Sequence, residues 1–158
     1  PLPNWIIVSG YVCGGLIRGM LVGLVVTIVA MIFTRLQVHH IGIILAAVLL
    51  TSAVFSLGGL LNAVFAKNFD QINWIPAFVL TPLTYFGGVF YSVDLLPGWA
   101  QAISKVNPIL HMVNAFRYGF LCTSDVSVPG AFAIMIVCVV ALFAAALYLM
   151  NRGTGIRD

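Results

Sequence analysis

From Leu36 to Ala66 the chain carries no residue with a formal charge. A helix crosses roughly 30 Å of hydrocarbon with about 20 mostly apolar residues, so this run is long enough to span a bilayer. Three more runs share its character, and four spans are expected, at about Tyr11–Phe33, Gly42–Ala66, Trp74–Val93 and Val128–Met150. Composition agrees: 62% of residues are hydrophobic and 7% charged, where soluble domains carry about 25% charged residues. The expected fold is an all-α integral membrane protein, residues 1–158 forming a single transmembrane domain.

An even number of spans puts both termini on one side. With the termini inside, Arg18, Lys67, Arg152 and Arg157 fall on the cytoplasmic half and Arg35, Lys105 and Arg117 outside, a weak bias under the positive-inside rule. The group Asn151-Arg152-Gly153, with Arg157 behind it, reads as a stop signal and favours cytoplasmic termini.

Several function classes drop out. The seven Lys and Arg are scattered, with no basic run to grip nucleic acid. Cys13, Cys122 and Cys138 are far apart and lack a CxxC or Cys/His ligand spacing, so neither a metal site nor a disulfide framework is indicated, and no cofactor is expected. His39 and His40 are adjacent, which places their rings on different faces and reads as interfacial. The opening Pro1-Leu2-Pro3 has no leader pattern and is what a truncated or processed product would show.

Within the first span Gly15, Gly19 and Gly23 recur every four residues, a smooth face for a second helix backbone. On the second span Ser52, Ser56, Gly59 and Ala63 form another small-residue stripe, with hydroxyls that can bond across helices. Arg18 interrupts the first span, where a charge must snorkel to the headgroups, pair or face water. In the third span Pro76 and Pro82 each delete a helical hydrogen bond and Gly87-Gly88 weakens the helix further, so a kink is expected, with Thr81 and Thr84 offering local hydroxyl bonds.

The stretch after that span needs a different explanation. Leu95 to Ser104 is too short to cross, and Pro97 followed by Trp99 suits a brief interfacial helix at about residues 96–104. Asn107 is a good N-cap and Pro108 a good first helical residue for a second helix at about 108–121. Ile109, Met112, Val113, Phe116 and Phe120 then share one face, leaving His111, Asn114 and Arg117 on a polar side fit for other helices or a watery vestibule. Arg117 invites pairing with Asp94 or Asp125, or recognition of an anionic group together with His111. A pair of short helices before the last span suggests a re-entrant element, which lipid tolerates only where protein or water satisfies the backbone.

The run from Phe78 to Phe120 resembles the signature of the ABC type-2 permeases, with Pro82-Leu83, Gly87-Gly88, Leu96-Pro97, Gln101, Asn107-Pro108 and Arg117 at the matching places. Gly14 to Gly19 and Ser56 to Asn62 are also similar to members of that family. The resemblance implies a fold of six spans with two re-entrant helices on the outer side before the last, of which the present four would be the last four. It implies that Pro82, Gly87, Gly88, Pro97, Gln101, Asn107, Pro108, His111 and Arg117 form a re-entrant signature or gate. It also implies partners: a cytoplasmic ABC ATPase subunit, a second permease copy and membrane lipids. Lys67, Asn68, Phe69 and Asp70 are candidates for an ATPase-docking loop.

No Gly-x-x-x-x-Gly-Lys-Ser/Thr loop is present, so ATP hydrolysis would belong to the partner. The expected role is a permease subunit of an exporter for an amphiphilic, lipid-linked, drug or saccharide-type substrate. An ion-coupled carrier is the first alternative, though none of the four acids lies centrally in a span. A non-transporting assembly protein would leave the paired short helices unexplained.

Overall fold

The computed structural model describes residues 3–34, 38–66, 68–89, 92 and 95–152. Seven helices lie among them: α1 (Asn4–Phe33), α2 (Ile41–Phe65), α3 (Phe69–Ile75), α4 (Thr81–Tyr85), α5 (Gly98–Val106), α6 (Pro108–Leu121) and α7 (Val128–Arg152). No strand occurs among the described residues. Three helices, α1, α2 and α7, are long and apolar enough to cross a membrane.

The expected third span takes another form. A π-helical turn, Pro76–Leu80, joins α3 to α4, and the composite element runs from Phe69 to Tyr85 rather than from Trp74 to Val93. Two prolines explain the interruption, since each removes a donor and crowds the turn before it. Gly88, at φ 67°, closes the turn that follows α4 in the left-handed region where glycine carries no Cβ penalty.

α1 pairs with α2 along the two small-residue stripes. A Cβ on Gly15 would meet the Ser56 side chain and one on Gly19 the Ser52 side chain, while Gly23 lies opposite Val48. Steps of four on one helix thus match steps of four on the other in antiparallel register, and the backbones approach at the glycines. Lipid tails are as apolar as leucine, so close van der Waals packing rather than the hydrophobic effect holds such a seam.

α7 packs across α2 at both ends. Toward the chain ends, Val8, Leu57 and Ala146 are buried together, and Asn4 Nδ2 donates to Asn151 Oδ1 at 2.7 Å. The start of α1 and the end of α7 therefore lie at the same end of the bundle. α1 begins at Asn4, seven residues before the expected Tyr11, because Val8 has this partner to bury against. At the opposite end α6 inserts between α2 and α7, where Ala47, Val54, Met112, Ala115, Ala131 and Met135 form one core.

Candidate functional site

A broken helix leaves carbonyls without donors, and their new partners define the site. Pro76 has no N–H for the carbonyl of Ile72, and Asn62 Nδ2 from the end of α2 donates there instead at 2.8 Å. Within the composite element Thr81 Oγ1 donates to the Pro76 carbonyl at 3.3 Å and Thr84 Oγ1 to the Leu80 carbonyl at 2.7 Å, as the sequence suggested. Past α4 the chain turns, Gly87 N–H going to the Thr84 carbonyl, so the Leu83 carbonyl is released. Asn107 Nδ2 donates to it at 2.6 Å.

Asn107 works in two directions. Its Oδ1 accepts from the Ile109 N–H at 3.0 Å, capping α6, while its Nδ2 holds α4. Pro108 follows at the first helical position, where a missing N–H has no cost. Gly87 is pressed against α6, where a Cβ would lie 2.7 Å from Ile109 Cγ2.

One turn from the end of α6, Arg117 Nη2 donates to the Gly88 carbonyl at 2.8 Å, and Nη1 lies 3.3 Å from Asp125 Oδ2. A guanidinium can hold a carbonyl and a carboxylate at once because its donors form a planar fork. The pairing falls on Asp125, while Asp94, the other acid suggested by the sequence, lies outside the described residues. Asn114, fully buried, accepts the Asp125 N–H at 2.8 Å through Oδ1 and donates through Nδ2 to the Leu110 carbonyl at 3.0 Å. Asp125 is thus fixed at both its backbone and its side chain.

His111 is buried, with Nε2 2.9 Å from the Lys105 carbonyl. A carbonyl only accepts, so Nε2 carries the proton. His111 Nδ1 and Ser104 Oγ are buried without a hydrogen-bond partner among the described residues. His111 and Asn114 on the polar side of α6 therefore face protein, while Phe116, exposed, and Arg117 border a groove of about 750 Å³ lined by α1, α2 and α6.

The structure gathers Gly87, Gly88, Asn107, Pro108, His111 and Arg117 into one locus, with Pro82 one turn below in α4. Pro97 and Gln101 stand apart at the start of α5, which begins at Gly98, two residues later than expected; Gln101 Nε2 donates to the Leu96 carbonyl at 3.0 Å. Gly15, Gly19 and Gly23 belong to the seam between α1 and α2. Asn68 precedes α3 at the N-cap position without a side-chain capping bond, and Asp70 sits in the exposed first turn; Lys67 and the side chain of Phe69 lie outside the described residues.

Asn62 and Gly119 are important here but were not singled out in the sequence. A Cβ on Gly119 would press on Ile44, and its carbonyl accepts from the N–H groups of His39 and His40 at 3.2 and 3.0 Å. His39 Nδ1 donates to the Phe120 carbonyl at 2.8 Å, and the His40 ring stacks on Tyr118 at 5.6 Å. A lone amide inside an apolar span is a usable signal for Asn62; Gly119 offers none without the neighbouring helix in view.

Known proteins resemble this chain. A family model described as "ABC-2 type transporter" matches residues 1–121. The inner membrane transport permease YadH of Escherichia coli strain K12 is 48% identical over the whole chain, which covers 62% of that relative. The daunorubicin resistance ABC transporter permease protein DrrB1 of Streptomyces coeruleorubidus is 30% identical over 49% of the chain and 28% of its own length. Nodulation protein J of Rhizobium leguminosarum bv. viciae is 23% identical over 68% of the chain and 42% of its own length. No solved structure matches.

Proposed function

The chain belongs to the ABC-2 type transporter family, and on that premise we propose that it is the membrane-spanning permease part of an ATP-binding-cassette exporter. Its relatives' names point the same way, YadH being an inner membrane transport permease and DrrB1 an ABC transporter permease. The chain spans 62% of the length of YadH, so the proposal concerns a larger assembly: a separate cytoplasmic ATPase, a second permease copy and surrounding lipid. The cargo in this reading is an amphiphilic, lipid-linked, drug or saccharide-type molecule.

The observation that carries the reading is the interrupted helix whose released carbonyls are held by Asn62, Asn107 and Arg117. Non-helical backbone at membrane depth survives only when buried in protein or beside a watery cavity, and it marks routes through the bilayer rather than anchors. In our reading α5 and α6 form a re-entrant pair on the outer side, α3 to α4 completes a fourth crossing, and both termini are cytoplasmic. Residues 67–70 then lie on the ATPase side, where a turn opening α3 can receive a docking subunit. ATP binding shifts the permease because the ATPase contacts the inward-open and outward-open forms differently.

Reconstitution with the ATPase in proteoliposomes tests this. ATP-dependent efflux that Arg117→Ala lowers about tenfold or more, with ATPase co-purification unchanged, is the expected result. Cargo movement by the permease with no ATPase present would overturn it. Cysteines at 68 and 70 should crosslink to the ATPase, whereas labelling of these positions from outside would reverse the orientation.

A further inference from the structure

Arg18 is the only charged residue of α1 and stands midway along it, about 21 Å from Asn4 at ~1.5 Å per residue. Register gives the same depth independently. With Gly15 against Ser56 and Gly19 against Ser52, Arg18 is level with Ala53, the centre of α2 (Ile41–Phe65). Neither end of α1 or α2 is within a side chain's reach of Arg18.

A cation at this depth needs a counter-charge or water. Arg18 has no ion pair or hydrogen bond to any described residue, and Arg117 is already held by Asp125. Of the remaining acids in these 158 residues, Asp70 sits in the first turn of α3, beyond the end of α2 and off this level, and Asp94 and Asp158 lie outside the described residues. A second copy brings no acid at this height in α1 or α2 either, because those helices contain none.

Arg18 opens into a groove of about 760 Å³ between α1 and α2, within the range of about 300–1,000 Å³ typical of ligand sites. Thr51 and Ser52 line it with hydroxyls that bond to no described residue. This groove shares Gly19, Val22, Thr51, Ser52 and Phe55 with the apolar groove that continues toward α6. One end carries a guanidinium and hydroxyls that bond to no described residue; the other is lined by Val26, Val48, Phe116 and Phe120, with Arg117, paired to Asp125, also in its wall.

We propose that the joined grooves bind the cargo as an anionic amphiphile, its phosphate or carboxylate head on Arg18, Thr51 and Ser52 and its apolar chain toward Phe116. The inference rests on the exporter reading and narrows its cargo by charge. Arg18 supplies the fork that a phosphate or carboxylate oxygen pair fits, and the low-dielectric surroundings strengthen that contact.

The test measures binding of dodecyl phosphate and of neutral dodecyl maltoside to the permease in phosphatidylcholine nanodiscs. Arg18→Gln should weaken dodecyl phosphate by about tenfold or more and leave dodecyl maltoside unchanged; Arg18→Lys should fall between, and Thr51→Val should lose about threefold. Equal dodecyl phosphate affinity in wild type and both Arg18 variants would overturn the proposal, and Arg18→Lys with Thr51→Val carries the test if Arg18→Gln does not fold. Adding phosphatidylglycerol separates the sources: unchanged affinity marks a cargo head, while loss of the probe marks a resident lipid and overturns the assignment to cargo. ATP-driven efflux of a neutral cargo unaffected by Arg18→Gln, with no Arg18-dependent binding, would refute this inference alone. Arg18-dependent binding without any ATP coupling would refute the exporter reading and leave the anion site standing.

Discussion

The seam between α1 and α2 and the joint between α4 and α6 solve opposite problems. At the seam both helices keep their own hydrogen bonds, and Gly15 and Gly19 simply make room for Ser56 and Ser52. At the joint the helix is broken, and each released carbonyl needs a side chain from elsewhere: Asn62 for Ile72, Asn107 for Leu83, Arg117 for Gly88. The seam depends on shape and the joint on partners. Changes that add volume should therefore damage the first, and changes that delete a donor the second.

The largest effect is expected from Gly15→Leu. A Cβ there already stands 2.5 Å from Ser56 Cβ, an atom that cannot rotate away, so the backbones must part. A loss of about 3 kcal/mol or more in detergent unfolding would follow, as in overpacked cores; the double change Gly19→Ser with Ser52→Gly, which trades the small residue across the seam, should stay within about 1.5 kcal/mol of wild type. A tolerated leucine would break the comparison by showing that the seam is loose.

Asn107→Leu comes next. It keeps the volume but strands the Leu83 carbonyl and uncaps α6, at a cost of about 2–4 kcal/mol from one buried unsatisfied group and one lost cap. Stability equal to wild type would show that α4 does not lean on the hairpin. Arg117→Ala should follow at about 2 kcal/mol, since charge-assisted bonds contribute about 1.5–3 kcal/mol. Arg117→Lys should recover only part of that loss, because an ammonium lacks the fork. Gly88→Ala should be mildest, about 1–2 kcal/mol from its left-handed backbone; a larger loss would mean the turn also needs space for a neighbour.

The same division governs how much could be read in the sequence. The two small-residue faces were legible because spacing alone puts Gly15 and Gly19 on one face of the first span and Ser52 and Ser56 on one face of the second; that the two faces meet each other was not. The second short helix was legible to its boundaries, Pro108 and Leu121, because Asn107-Pro108 is a local start signal. The end of the third apolar element was not: hydropathy continues to Val93, but Tyr85 ends the helix because the chain turns at Gly87 and Gly88 to meet Ile109 and Arg117. Asn62 and Asn114 carry the same lesson, since an amide's acceptor lies in another part of the chain. Arg18 was visible as an anomaly, and its depth followed only when Val8 was seen to extend α1.

The central claim is that α6 packs inside the bundle and supplies the donors a broken helix lacks. Ala115, fully buried between α2 and α7 in the core that includes Ala47 and Met135, reports on this directly. In a chain with Cys13, Cys122 and Cys138 replaced, Ala115→Cys should resist a membrane-impermeant maleimide in intact cells and in everted vesicles and react only after denaturation. Rapid labelling of the native protein from either side would mean that α6 is a water-exposed excursion, and would contradict the account.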